Sequence, residues 1–204
     1  IEEFMLLANK KVAEFIGKPN GKKKPKPFVY RIHDNPDQDK MGNLAEIARR
    51  FGHKLKISSR ASEANQSLNK MLANIKNRPE ENLLSTLAIR SMAKAVYTTM
   101  NIGHYGLAFD YYTHFTSPIR RYPDMMVHRL LDRYIDGGRA VNEAKLEDEC
   151  EHCSSMEQLA ANAERASIKY KQVEYLGERL GNVYDGVISG VTEWGIYVEL
   201  DENK

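Results

Sequence analysis

Apolar residues recur at helical spacing from the first position, with Ile1, Met5, Ala8, Val12 and Phe15/Ile16 on one face. This predicts an amphipathic helix over 1–16. A Lys/Pro/Gly loop follows. Phe28 to Ile32 is a short extended segment, ended by the turn signal His33-Asp34-Asn35-Pro36-Asp37. Helical patterns cover 38–52, stopping near Gly52, and then 62–76. A fourth helix starts near Pro79-Glu80-Glu81 and turns Leu83, Leu84, Leu87, Ala88 and Ser91 inward. From Tyr97 to Phe115 the mixture of Tyr, Thr, Gly and Phe predicts strand or extended loop. Val127, Leu130, Leu131, Tyr134 and Ile135 return to helical spacing until Gly137-Gly138. A long helix is expected over about 142–178, with Leu146, Cys150, Cys153, Ala160 and Ala163 along one side. Gly181 marks a boundary. Beyond it the pattern is β-like: Val183 to Val191, a turn at Thr192-Glu193, and Gly195 to Leu200. The expected fold class is α+β: a mainly helical part over 1–180, then the start of a β-rich domain over 181–204.

Composition narrows the class without naming a function. The 204 residues, 42% hydrophobic and 28% charged, fit one or two ordinary globular domains with a substantial core. No run approaches the roughly 20 apolar residues of a membrane span. Two cysteines make no disulfide framework, which points to a reducing, cytoplasmic setting. Ile at position 1 and Lys204 in mid-pattern suggest a piece of a longer protein. The net charge of +2 hides an asymmetry: residues 10–60 carry 14 Lys/Arg against 5 Asp/Glu, whereas 142–164 carry seven acids and only Lys145. The basic side suits a polyanion. The Lys18 to Pro27 run within it also reads as a solvated loop between two elements.

The densest chemistry lies in Tyr112-Thr113-His114-Phe115-Thr116-Ser117-Pro118-Ile119-Arg120-Arg121-Tyr122-Pro123-Asp124. Ser117 suits an N-cap and Pro118 a first helical position. A helix N-terminus favours an anion, and an adjacent guanidinium grips phosphate with two parallel hydrogen bonds. Such a turn is a phosphate clamp. Pro123 would clash with the carbonyl of Ile119 in a regular helix, so Ser117 to Tyr122 can instead form one separate turn.

Together with Asn101-Ile102-Gly103-His104-Tyr105-Gly106-Leu107-Ala108 and His128-Arg129-Leu130-Leu131, this stretch resembles the C-terminal half of the catalytic (RNB-type) domain of the ribonuclease R and ribonuclease II family, closer to ribonuclease R. Ile1 to Asn9, Tyr30 to Asp37 and Glu151-His152-Cys153-Ser154 look like further blocks in the same order. Gly181 to Leu200 is similar to the opening strands of the OB-type RNA-binding domain that follows in these enzymes. The resemblance implies a processive 3′→5′ exoribonuclease, hydrolysing RNA to nucleoside 5′-monophosphates with Mg²⁺. The family's metal-binding aspartates lie upstream of Ile1. Asp34, Asp37 and Asp39 are their nearest imitation here, so no metal ligand is assigned and the chain alone is expected to be inactive. A non-catalytic RNA-binding module of the same fold is the alternative. A helical DNA-binding protein using the Arg120/Arg121 turn is a weaker one, since the resemblance implies single-stranded RNA, held at its 3′ end, as the partner.

The resemblance also assigns roles. It implies that Arg120 contacts the scissile phosphate; the opposing reading has it held by a carboxylate such as Asp124. Arg121 reads as a backbone-phosphate or structural contact. Glu2 and Glu164 match family glutamates near the RNA end, where a carboxylate accepts from a ribose hydroxyl. On the residues alone, Glu2 is an exposed helix-start acid, and Glu164, beside Ala160 and Ala163, is a partly buried salt-bridge partner. Trp194 and Tyr197 match the aromatic pair on the open face of RNA-binding OB domains. Plain alternation puts them on opposite sides, with Trp194 in the core, unless Gly195 introduces a bulge. Cys150 and Cys153 read as buried thiols rather than zinc ligands, and His33, His104 and His114 as loop-ordering groups. Apolar surface facing absent parts of the protein would favour self-association.

Overall fold

The computed structural model describes residues 1–19, 24–56 and 61–201. The Lys/Pro run at 20–23, the end of the basic stretch at 57–60, and 202–204 lie outside the described residues.

Helix α1 (Glu2–Gly17) forms where its pattern requires, but its buried face is rotated from the expected one, keeping Val12 and Ile16 against the core. Asn9, Ala13 and Ile16 point inward, while Ile1 is 98% and Phe15 67% exposed. Asn9 sets that rotation. Its Nδ2 donates to the Tyr112 hydroxyl at 3.1 Å and its Oδ1 accepts from the Phe115 amide at 3.0 Å. A buried amide left unpaired would cost more than one apolar contact returns, so the polar pairing decides.

Strands β1 (Tyr30–Ile32) and β2 (Val96–Thr98) pair antiparallel, Arg31 opposite Tyr97. On the far side of β1 the Arg31 amide donates to the carbonyl of Tyr112, and the Thr113 hydroxyl donates to that of Val29. The 112–115 segment is thereby fastened to both α1 and β1. Around it lies the first core: Ala13, Ile16, Phe28, Val29, Tyr97, Val127 and Leu130, closed by Leu146, Cys150 and Cys153.

Helices α2 (Gln38–Arg50), α3 (Ala61–Ile75) and α4 (Glu81–Ser91) enclose a second core of Met41, Leu44, Ala48, Leu68, Met71, Ile75, Leu84 and Ala88. Asp37 caps α2 by accepting from the amides of Asp39 and Lys40. Leu84, Ala88 and Ser91 of α4 face inward as the pattern requires, but Leu83 is exposed. Within this unit the Asp37 amide donates to the Ser91 carbonyl, tying the start of α2 to the end of α4, and Asn65 Nδ2 donates to the Tyr105 carbonyl outside it.

Helix α5 (Tyr122–Ile135) packs its Met126, Val127 and Leu130 into the first core. Asn142 caps α6 (Glu143–Gly177), accepting from the Lys145 amide. Only the first part of α6 is buried, through Leu146, Cys150 and Cys153; Ala160, Ala163 and every residue from 162 to 171 are exposed. The buried stripe thus ends at Cys153, about a third of the way along the helix. Strands β3 (Gly186–Thr192) and β4 (Gly195–Leu200) form an antiparallel hairpin turning at Glu193-Trp194. Its irregularity lies in β3, between Ile188 and Gly190, rather than at Gly195. Among the described residues the architecture is α+β with two two-stranded sheets and no closed barrel. No described helix is long and apolar enough to cross a membrane.

Candidate functional site

Ser117 does not cap a helix. Residues 118–120 form an isolated turn in which the Ser117 carbonyl accepts from the amides of Arg120 (3.3 Å) and Arg121 (3.1 Å). Helix α5 begins only at Tyr122, with Arg121 at its N-cap position and Pro123 in its first turn. The proline supplies no N–H where none has an intrahelical partner. The separate turn replaces the expected Ser-Pro helix start because Pro123 cannot sit inside a continuous helix.

Asp124 holds this turn in place. Its side chain is fully buried. Oδ1 accepts from the Ser117 amide at 2.7 Å and from Arg121 Nη2 at 2.9 Å, while Arg121 Nε stands 2.8 Å from Oδ2. Both ends of the turn are therefore fixed to one carboxylate. Arg120, between them, is exposed, and among the described residues no hydrogen bond or ion pair engages its guanidinium. The two adjacent arginines are thus separated by function of position: one is bound inward, one is left free.

Arg120 opens onto a groove of about 920 Å³ between the start of α5 and the middle of α6, whose walls include Tyr97, Tyr122, Lys145, His152 and Glu157. Behind this groove lies a tightly tied layer. Arg31 makes a two-pronged contact with Glu157 (2.6 and 3.2 Å) and stacks 4.5 Å from the Tyr97 ring centroid. The Tyr97 hydroxyl is 2.8 Å from His114 Nδ1. Burial pushes the Tyr97 phenol up to about 12. Burial, then the positive charges of Arg121 and Arg31, push His114 down to about 3, so it is neutral at pH 7. Three guanidiniums, those of Arg31, Arg120 and Arg121, act on this one imidazole. Two of them are paired with carboxylates, which leaves Arg120 as the available positive charge.

A second cluster orders the loop before the turn. Gly103, at φ +84°, accepts at its carbonyl from the His33 amide, a backbone shape that suits glycine. His33 Nδ1 accepts from the Gly106 amide and Nε2 faces the Ala93 carbonyl at 2.9 Å, while His104 Nδ1 accepts from the Leu107 amide. Burial above all pushes His104 down to about 4. These histidines hold backbone.

The other residues singled out from the sequence stand apart from Arg120, and among the described residues no hydrogen bond or ion pair links them to it. Glu2 is exposed in the first turn of α1. Glu164 is exposed too, correcting the expectation of partial burial; it lies on α6 two turns beyond Glu157. Trp194 is 94% exposed at the tip of the hairpin, and Tyr197 is 62% exposed on β4. Cys150 and Cys153 are buried free thiols, and burial pushes both up, Cys150 to about 12. That leaves them protonated at pH 7. Asp34 accepts from the Asn35 amide and Asp37 caps α2, so the nearest imitation of a metal cluster does not converge on an ion. Among the described residues no group of three or more His, Cys, Asp or Glu side chains is placed to hold a metal. Sequence reasoning missed Asp124 as the partner of Arg121, Arg31 and Glu147. Only the first had a visible signal, the Arg–Asp spacing of three.

Comparison with known proteins agrees with this geometry. Residues 1–137 match the RNB domain. Ribonuclease R of Aquifex aeolicus is 42% identical over 206 residues, which take in 100% of this chain and 28% of that protein. The structure of Mycoplasma genitalium RNase R in complex with ribose-methylated single-stranded RNA is similar at 28% identity and a TM-score of 0.83, covering 99% of this chain and 32% of that one. Yeast Ssd1, described as a pseudonuclease, is similar at 28% identity and a TM-score of 0.62, over 74% of this chain and 18% of its own. The chain thus spans under a third of the length of these relatives. With residues 1–137 matched to that domain and a ribonuclease R 42% identical along the whole chain, the chain belongs to the RNB-domain family.

Proposed function

We propose that this chain supplies the phosphate-gripping wall and RNA-end contacts of a processive 3′→5′ exoribonuclease that releases nucleoside 5′-monophosphates. The observation that carries the reading is Arg120: exposed, unpaired and fixed at a groove by a turn anchored on Asp124. A guanidinium held this way offers two parallel N–H donors to phosphate oxygens and stabilises the negative charge that grows there during displacement. Arg121, bound to Asp124, serves to hold the turn rather than to contact phosphate.

In the same reading Glu2 and Glu164 accept hydrogen bonds from ribose hydroxyls and favour RNA over DNA. Trp194 and Tyr197 stack on bases, with residues 181–204 as the opening of an OB-type domain after a catalytic part over 1–180. The Mg²⁺ of the reaction belongs to carboxylates carried elsewhere in the longer protein, so 1–204 alone should be inactive. Two free thiols support a cytoplasmic setting, and fractionation that finds the protein in an oxidising compartment would count against it. Exposed Leu159, Ile168 and Val173 on α6 support self-association of the isolated chain, which sedimentation at rising concentration would detect.

The test is product analysis. The full-length protein with Mg²⁺ should shorten single-stranded RNA from its 3′ end and release 5′-monophosphates. Internal cleavage would contradict the reading. Binding without cleavage would favour the second one, a non-catalytic RNA-binding protein of this fold, which the likeness to Ssd1 supports.

A further inference from the structure

A second groove lies away from Arg120, on the α2–α4 unit. It has a volume of about 760 Å³, between the segment after α2 and one face of α3. Lys54 and Lys56 come from the segment; Gln66, Ser67, Lys70 and Asn74 come from the helix. Positions 66, 67, 70 and 74 share one helical face and extend about 12 Å along its axis. Lys54, Lys56 and Lys70 are exposed, and among the described residues none has an ion-pair partner.

Of the acids of this unit only Glu63 lines the groove; Asp39 lies in the first turn of α2. Asp37 caps α2 and pairs with Lys40, Glu46 pairs with Arg50, Glu80 lies 2.8 Å from His53, and Glu81 accepts from the Asn77 amide. Glu63, on the groove wall, is also engaged. That wall therefore carries three lysines against one carboxylate, flanked by neutral amides and a hydroxyl. Lysines of this kind are point charges that suit phosphates without base selection.

We infer that this groove is an accessory binding site for the phosphodiester backbone of single-stranded RNA, upstream of the end held at Arg120. The inference rests on RNA being the substrate, but not on the chemistry assigned to Arg120. The site is electrostatic and sequence-tolerant. It raises the affinity for long RNA and leaves short RNA unaffected.

The test compares two triple variants of the full-length protein. One is Lys54→Gln/Lys56→Gln/Lys70→Gln. The control, Lys11→Gln/Lys40→Gln/Lys171→Gln, removes three lysines that are each paired with a carboxylate. Binding of a long oligouridylate is measured without divalent metal across a salt series. The groove variant should flatten the slope of log affinity against log salt by about 2, since each phosphate contact on a single strand contributes about 0.7. At low salt its affinity should fall at least about tenfold, with turnover of a short oligouridylate unchanged. An unchanged slope, or an equal change in the control, overturns the groove. Failure of the unsubstituted protein to bind RNA would instead overturn the functional reading itself.

Discussion

Arg121 and the buried Asp124 form an ion pair three residues apart, and the same carboxylate also receives the Ser117 amide at 2.7 Å. One side chain therefore fixes both the entry and the exit of the turn that presents Arg120. Removing one partner of a buried pair leaves the other uncompensated, which costs about 3–5 kcal/mol. Asp124→Ala should lose stability on that scale in urea unfolding, and Arg121→Ala should lose a similar amount. In the double variant the losses should overlap by more than about 1 kcal/mol. Strict additivity would show that the two do not act as a unit.

Acid should destabilise the fold before its carboxylates titrate. His104 is pushed down to about 4 and His114 to about 3, whereas both titrate near 6.5 in an unfolded chain. Below about 6.5 the unfolded chain binds protons that the folded chain refuses, so stability is full above that pH and declines as pH falls. Glu80 and Glu147 are held below their ordinary value of 4.5 and contribute only further down. His114→Gln should flatten the decline between pH 6.5 and 4.5, measured as the urea midpoint. An unaltered decline in that variant would remove His114 from the account.

Glu147 ties α6 to the end of β2. It accepts from the Thr98 hydroxyl at 2.7 Å and from both the amide and the hydroxyl of Thr99. Hydrogen bonds to a charged group contribute about 1.5–3 kcal/mol each. Glu147→Ala should therefore lose about 3 kcal/mol and speed hydrogen exchange at the Thr99 amide. Exchange as slow as in the unsubstituted chain would mean that the strand is held by packing alone.

Trp194 is the single tryptophan of the chain and is 94% exposed, so its fluorescence reports one place on the surface. Single-stranded RNA should quench it, and Trp194→Ala should weaken binding by about 1–3 kcal/mol. Emission that stays constant while RNA binds would rule out stacking at the hairpin tip.

The helices were legible because each is long and bounded by its own signals. Asp37 and Asn142 cap, Gly52 follows α2, and Gly137-Gly138 follows α5. Rotation about a helix axis was less legible. Asn9 turns α1 through hydrogen bonds to residues more than a hundred positions away, which no local periodicity encodes. The same holds for α6, where Ala160 and Ala163 continue the apolar side of Leu146, Cys150 and Cys153 yet are exposed. At the site, the motif drew attention to both arginines, and the proline rule anticipated the separate turn. Their opposite fates depended on where Asp124 points, and that follows from packing in the first core. Arg31, Tyr97 and His114 lie at distant sequence positions, so nothing in the sequence joined them.

The central claim is that Arg120, and not Arg121, meets the phosphate. Single-turnover RNA hydrolysis by full-length Arg120→Lys and Arg121→Lys variants, with melting temperature measured alongside, tests it most directly. Arg120→Lys should slow the chemical step by about 10²-fold or more and leave the melting temperature unchanged. Arg121→Lys should lower the melting temperature and slow the chemistry far less. A near-normal rate in Arg120→Lys, or a larger loss of rate in Arg121→Lys at full stability, would contradict the account.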